Sequence, residues 1–177
     1  MKSVADSLAA AGHSAAAVDY FKGKTAKTLE EGFALRESTK KEDIISATLA
    51  GFKSLRSAGA RTLGTLGFCM GGGFALQAAC DLKDISFCVD YYGSIGNAED
   101  IQNLNCPVLL ILASEDTRIT PWTSSSLLPA AVKHKKRVEV QLYPNVEHAF
   151  HNGDGSRYNE AAAKDAWQRT IEFLSRA

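Results

Sequence analysis

Thr62-Leu63-Gly64-Thr65-Leu66-Gly67-Phe68-Cys69-Met70-Gly71-Gly72-Gly73 is the stretch whose reading decides the fold. Its first seven residues form an apolar run without polar alternation, as expected of a strand buried on both faces. A helical segment, Phe74 to Cys80, follows at once. Strand, glycine turn and helix make one βα unit, and Gly67-Phe68-Cys69-Met70-Gly71 at its bend has the form of a nucleophile elbow with sulfur in place of a hydroxyl. Glycines on either side of Cys69 remove side chains that would collide in so sharp a turn. A helix N-terminus beneath Cys69 favours the thiolate, and the Met70 backbone N–H points where an oxyanion would form. A glycine-rich turn can also be purely structural, or cradle a phosphate. Gly71-Gly72-Gly73 is not GxGxxG and no GK[ST] follows, which speaks against the nucleotide reading.

Outward from the elbow, short apolar runs alternate with helical patterns. The runs are His13 to Val18, Thr62 to Phe68, Ile85 to Tyr91, Pro107 to Ala113 and Arg137 to Tyr143. Ile45, Leu49 and Phe52 mark one helix face, and Trp167, Ile171 and Leu174 another. Repeated βα units predict a mostly parallel sheet of about five strands with helices on both faces. Arg137 to Leu142 alternates polar and apolar residues and therefore reads as an edge strand, whereas Phe21 to about Lys41 reads as irregular and too charged for core.

The rest of the composition narrows the class. The chain has 177 residues, 45% of them apolar, and 20 Lys and Arg balance 20 Asp and Glu. A single domain over 1–177 of this size buries roughly 70% of its unfolded surface and needs no disulfide or metal staple. The balanced charge leaves no basic footprint for nucleic acid, and Lys133 to Arg137 reads as the solvated end of a helix. No stretch approaches the roughly 18 apolar residues of a membrane span. Met1 to Gly12, with Asp6 among Val4, Leu8 and Ala11, is an amphipathic helix rather than a signal peptide, so a cytoplasmic location is expected. Cys80, Cys88 and Cys106 read as small buried thiols, and the spacing of the four cysteines fits neither a redox pair nor a zinc site.

In open parallel sheets chemistry sits beyond the carboxyl ends of the strands. Asp116 follows the run Pro107 to Ala113, and His148 follows the last run. Cys69, Asp116 and His148 thus stand in the order nucleophile, acid, histidine, each just past a different strand. His151 competes for the histidine role and Glu115 or Asp90 for the acid; His13 and His134 read as structural.

Gly67-Phe68-Cys69-Met70-Gly71-Gly72, Asp90-Tyr91-Tyr92-Gly93, Ser114-Glu115-Asp116 before Pro121, His148-Ala149-Phe150-His151-Asn152, Arg157-Tyr158-Asn159 and Ala166-Trp167-Gln168-Arg169 together resemble the dienelactone hydrolase (carboxymethylenebutenolidase) family. The resemblance runs from Val4 to Phe173. It implies an α/β-hydrolase fold, no metal or organic cofactor, and a small-molecule lactone or activated ester as substrate. Cys69 would be the nucleophile, His148 the base and Asp116 its orienting acid, with Met70 as oxyanion donor and Tyr92 and Phe150 at the substrate. Thiolate attack on the carbonyl would give an acyl-thioester that water, activated by His148, then cleaves.

Members of the family begin with further strands, and the loop after their third strand supplies a Glu and a second oxyanion N–H. Neither is present in these residues, so by the resemblance the domain is incomplete at its N-terminus. The arginines that hold a substrate carboxylate are also displaced: Asn stands at position 152, and Arg118 and Arg157 are the substitutes. The gap left by the absent strand predicts that His13–Val18 shifts beside Thr62–Phe68, or that a second copy of the chain covers the exposed sheet edge. The rival functions are a catalytically impaired hydrolase and a glutaminase-like or DJ-1-like cysteine enzyme. The first of those cysteine enzymes expects a His-x-Glu pair where Glu147 directly precedes His148, and the second a histidine soon after the cysteine.

Overall fold

The computed structural model describes residues 2–176. Its chain divides into two compact units, Met1–Leu63 and Gly64–Ala177.

The first unit is helical. Helix α1 (Lys2–Ala10) stops where Gly12 turns to φ 86° and the His13 N–H reaches back to the Leu8 carbonyl. The expected strand His13–Val18 is not one: these residues carry no ladder, and Ser14 to Ala17 are exposed. Four small residues offer little apolar area to a sheet, and the run lies instead against helix α3 (Lys41–Ser57), where a Cβ on Gly51 would meet the Val18 side chain at 2.7 Å. The expected irregular stretch likewise contains helix α2 (Leu29–Ser38). Thr28 and Glu31 form its start: the Thr28 hydroxyl accepts the Glu31 N–H, and the Glu31 carboxylate accepts the Lys27 N–H at 2.6 Å. Helix α3 buries Ile44, Thr48 and Phe52 and leaves Leu49 exposed, so its inner face lies one residue from the Ile45-Leu49 line that periodicity suggested.

The second unit holds the sheet. Strands β1 (Gly64–Phe68), β2 (Phe87–Tyr91), β3 (Val108–Ala113) and β4 (Val138–Tyr143) pair in that order, all parallel. Four strands, rather than about five, are present among the described residues, and β1 is an edge that pairs with β2 alone. Strand β3 is buried throughout, and β4 is the other edge, as its sequence indicates; its burial does not follow the polar–apolar alternation, however, since Val140 and Leu142 are left 42% and 48% exposed.

Register sets the faces. Thr65 and Gly67 of β1 lie beside Cys88 and Asp90 of β2, under helix α4 (Met70–Asp81). The Thr65 hydroxyl donates to the Ala75 carbonyl, which fixes α4 on that face. Tyr91 points the other way, its hydroxyl on the Ala166 carbonyl and on Thr170 of helix α7 (Glu160–Leu174). Between β3 and β4 come a single turn, α5 (Ile119–Trp122), a π-helical turn (Thr123–Leu127) and α6 (Leu128–Lys133). The basic run does close α6, but it is not merely solvated: Lys133 and His134 both reach Glu99. No helix among the described residues is long and apolar enough to cross a membrane.

Candidate active site

Cys69 sits between β1 and α4 with φ 53° and ψ −120°. That conformation costs a non-glycine residue roughly 1–3 kcal/mol and persists only where its surroundings over-determine it. Here they do. The Cys69 N–H donates to the Tyr91 carbonyl at 2.9 Å, and the Cys69 carbonyl accepts the Gly73 N–H, closing the first turn of α4. Gly67 is required, because a Cβ there would overlap the Gly71 backbone. Gly71 itself has open space where a Cβ would go; the glycines that are sterically required inside α4 are Gly72, against Asp90, and Gly73, against Ser94. Met70 opens α4, so its N–H has no carbonyl one turn earlier to bind.

The loop after β3 carries Asp116, 5% exposed. One carboxylate oxygen, Oδ1, accepts the N–H groups of Arg118 and Ile119 at 3.0 and 2.9 Å and so caps α5. The other, Oδ2, lies 2.6 Å from His148 Nδ1. Burial pushes this carboxyl up, but the Ile119 N–H, His148 and the Arg118 N–H outweigh it and hold it below the usual range. Three bonds tie this loop to the one after β4: Ser114 N–H to the Tyr143 carbonyl, Glu115 N–H to the Val146 carbonyl, and Asn145 N–H to the Ser114 hydroxyl. The two loops therefore arrive with Asp116 and His148 already in reach of each other.

His148 Nε2 stands 3.0 Å from Cys69 Sγ. The hydrogen bond to Cys69 raises the imidazole above its ordinary value, burial opposes it, and Asp116 adds to the rise. A carboxylate, an imidazole and an exposed thiol in a row can hold one tautomer and pass a proton between Nε2 and sulfur. Tyr92, its backbone held at φ 44°, packs its ring 4.9 Å from the imidazole and edge-on to Phe150 at 5.7 Å; both side chains, expected at the substrate, are instead buried in the core.

The competing residues are placed elsewhere. Glu115 is exposed and accepts from the Ser114 hydroxyl. Asp90 is buried under α4 with Oδ1 on the Gly93 N–H. His151 lies among Phe68, Tyr91 and Trp167, and burial there lowers its imidazole. Arg157 is exposed and pairs with Glu147 at 2.9 Å, and Arg118 gives its backbone N–H to Asp116. Cys80, Cys88 and Cys106 are buried, as their contexts indicate. Among the described residues no group of three or more His, Cys, Asp or Glu is placed to hold a metal ion. The Asp90 contact to Gly72 had no sequence signal, since the two meet only when α4 docks on β2, whereas the Asp90 bond to the Gly93 N–H is local to one turn.

Compared with known proteins, the whole chain, residues 1–177, matches the model of the dienelactone hydrolase family. The chain belongs to that family. It is 35% identical over 150 residues to a "Putative carboxymethylenebutenolidase" of Saccharolobus solfataricus, an alignment that takes in 85% of this chain and 58% of the relative. This family member thus spans little more than half the length of that relative. Among solved structures, a "Putative Dienelactone Hydrolase" from Klebsiella pneumoniae superposes with a TM-score of 0.79 at 25% identity, covering 89% of this chain and 72% of the other. A dienelactone hydrolase-like promiscuous phosphotriesterase from metagenomic libraries shares the fold, with a TM-score of 0.85 at 20% identity over 99% of this chain and 79% of its own.

Proposed function

We propose that this protein is a hydrolase of lactones or activated carboxylic esters, acting through Cys69, His148 and Asp116. The observation that carries the proposal is the position of one imidazole between two partners, 3.0 Å from Cys69 Sγ and 2.6 Å from Asp116 Oδ2. Asp116 holds the Nδ1 proton, which leaves Nε2 to exchange a proton with sulfur. The thiolate attacks the acyl carbon, and the carbonyl oxygen takes the negative charge beside the Met70 N–H. As that charge collapses, the ring C–O bond breaks. The leaving oxygen takes the proton from His148 Nε2, and the acyl group remains on sulfur as a thioester.

In the second half His148 takes a proton from water, and the hydroxide adds to the thioester carbon. The C–S bond then breaks, which frees the carboxylate product and restores the thiolate. A thiolate is a good leaving group as well as a good nucleophile, so acyl groups whose own leaving oxygen departs readily, such as enol lactones, are favoured over amides. Tyr92 and Phe150, 2% and 0% exposed, back the His148 ring from within the core rather than meet the acyl group, and Arg118 and Arg157 stand in exposed positions from which a substrate carboxylate could be paired.

The test is steady-state hydrolysis of a dienelactone and a p-nitrophenyl ester by the wild type and Cys69→Ala. Turnover abolished in the variant is expected. Equal rates would sink the nucleophile assignment. Stoichiometric acylation without turnover would refute the hydrolase reading while keeping the nucleophile.

A further inference from the structure

Asp90 is a buried carboxyl under the elbow, and the chemistry proposed above does not use it. It is 1% exposed, its neighbours across the sheet are Gly67 and Leu110, and it faces the first turn of α4. Its Oδ1 accepts the Gly93 N–H at 2.8 Å. That same oxygen occupies the space where a Cβ on Gly72 would stand, and a Cβ on Gly93 would collide with both Oδ1 and the Gly73 N–H. Three backbones therefore close around one carboxyl: the start of α4, the end of β2 and the Tyr92-Gly93 turn.

Tyr92, the residue inside that turn, is held at φ 44°, which an L residue does not keep unless its neighbours are pinned. Two bonds pin it. The Tyr92 N–H donates to the Ile111 carbonyl at 2.8 Å, and Gly93, one residue on, is tied to Asp90. The side chain so directed is the one 4.9 Å from the His148 ring.

We propose that Asp90 is a positioning residue for the nucleophile: through the Gly93 N–H it fixes the Tyr92 turn, and the Tyr92 ring in turn holds the His148 imidazole at Cys69. This inference rests on the Cys69–His148 reading and deepens it. What Asp90 supplies is an acceptor oxygen at a defined place rather than a charge. Burial agrees with this, since it pushes the carboxyl up to about 7 against the pull of the Gly93 N–H.

The experiment follows Cys69 by its rate of alkylation with iodoacetamide and by thiolate absorbance, the other three thiols being buried. Asp90→Ala removes the acceptor and is expected to slow alkylation about three- to tenfold, the scale of one aromatic contact on the imidazole. Asp90→Asn, whose amide oxygen accepts the same N–H, is expected to stay within about twofold of wild type. Tyr92→Ala is expected to slow alkylation as Asp90→Ala does, and adding Asp90→Ala to it to slow the reaction no further. A purely structural role would lower the melting temperature of Asp90→Ala without touching the alkylation rate of the folded protein.

The proposal is overturned if folded Asp90→Asn is slowed as much as Asp90→Ala, or if Asp90→Ala slows the Tyr92→Ala protein as much as it slows wild type. Should Asp90→Ala fail to fold, Tyr92→Ala decides with Asp90→Asn: an unchanged rate in Tyr92→Ala leaves the relay nothing to act through and refutes it. Wild type that alkylates no faster than a free thiol would instead overturn the nucleophile reading, and the positioning role with it.

Discussion

Asp116→Asn separates the two tasks that one carboxylate performs. Asn keeps an oxygen for the N–H groups of Arg118 and Ile119, so α5 stays capped. Its amide nitrogen then faces His148 Nδ1 in place of the oxygen at 2.6 Å. The amide cannot accept the Nδ1 proton, and the imidazole is driven to the other tautomer. A charge-assisted hydrogen bond of this kind contributes about 1.5–3 kcal/mol, or roughly 10- to 150-fold in rate. Serine triads lose about 10⁴ on the equivalent change, because the hydroxyl depends on its base for every attack. A thiolate depends on it less, so the expected loss in acylation lies near 10²-fold.

Its pH dependence follows from sign. Asp116 raises His148, so in Asp116→Asn the imidazole gives up its proton at lower pH, and the high-pH limb of the acylation profile moves down. The assay is the single-turnover release of p-nitrophenol as a function of pH, with thermal unfolding alongside. Asp116→Ala, which loses the cap as well, is expected to be less stable than Asp116→Asn by about 1 kcal/mol, or 2–4 °C in Tm. Acylation by Asp116→Asn within threefold of wild type, with an unmoved profile, would refute the reasoning.

Three further outcomes are expected. Gly67→Ala puts a Cβ into the Gly71 backbone and should abolish ester hydrolysis and lower the urea midpoint, whereas Gly71→Ala, with nothing within 4 Å, should be neutral or stabilising by up to about 1 kcal/mol. Tyr91→Phe loses the hydroxyl shared by the Ala166 carbonyl and Thr170 and should cost about 1–2 kcal/mol in urea unfolding at unchanged m, Thr170 keeping its own bond to Ala166. Burial raises the Asp90 carboxyl in the folded state, so that state binds the proton more tightly and stability falls as pH rises from about 4 through about 7. Asp90→Asn should flatten that slope, and a stability profile that is the same in both proteins would sink the assignment.

Much of this was legible because it is local. Gly67-Phe68-Cys69-Met70-Gly71 identified the bend, since a strand period broken by glycines and resumed as a helix has few other meanings. Asp116 and His148 stood out by their places just past β3 and β4, with Glu115, Asp90 and His151 left as competitors. Helix α2 was hidden by its charge, although Thr28 and Glu31 at capping spacing were there to be read. The run His13–Val18 looked like a strand from its residue types, yet a strand exists only where a neighbouring strand takes up its hydrogen bonds.

Sequence by itself determined the alternating architecture, the glycine-flanked bend at Cys69 and the placing of Cys69, Asp116 and His148 each just past a strand, because each of these depends on residues within a few positions of one another. Tertiary structure decided the rest. It took Asp116 rather than Glu115 or Asp90 to His148, and His148 rather than His151 to Cys69. It also required Gly72 and Gly73 rather than Gly71. These choices turn on differences of a few ångströms between groups up to 79 residues apart, and only the packing of α4 on β2 and the pairing of β3 with β4 sets such distances.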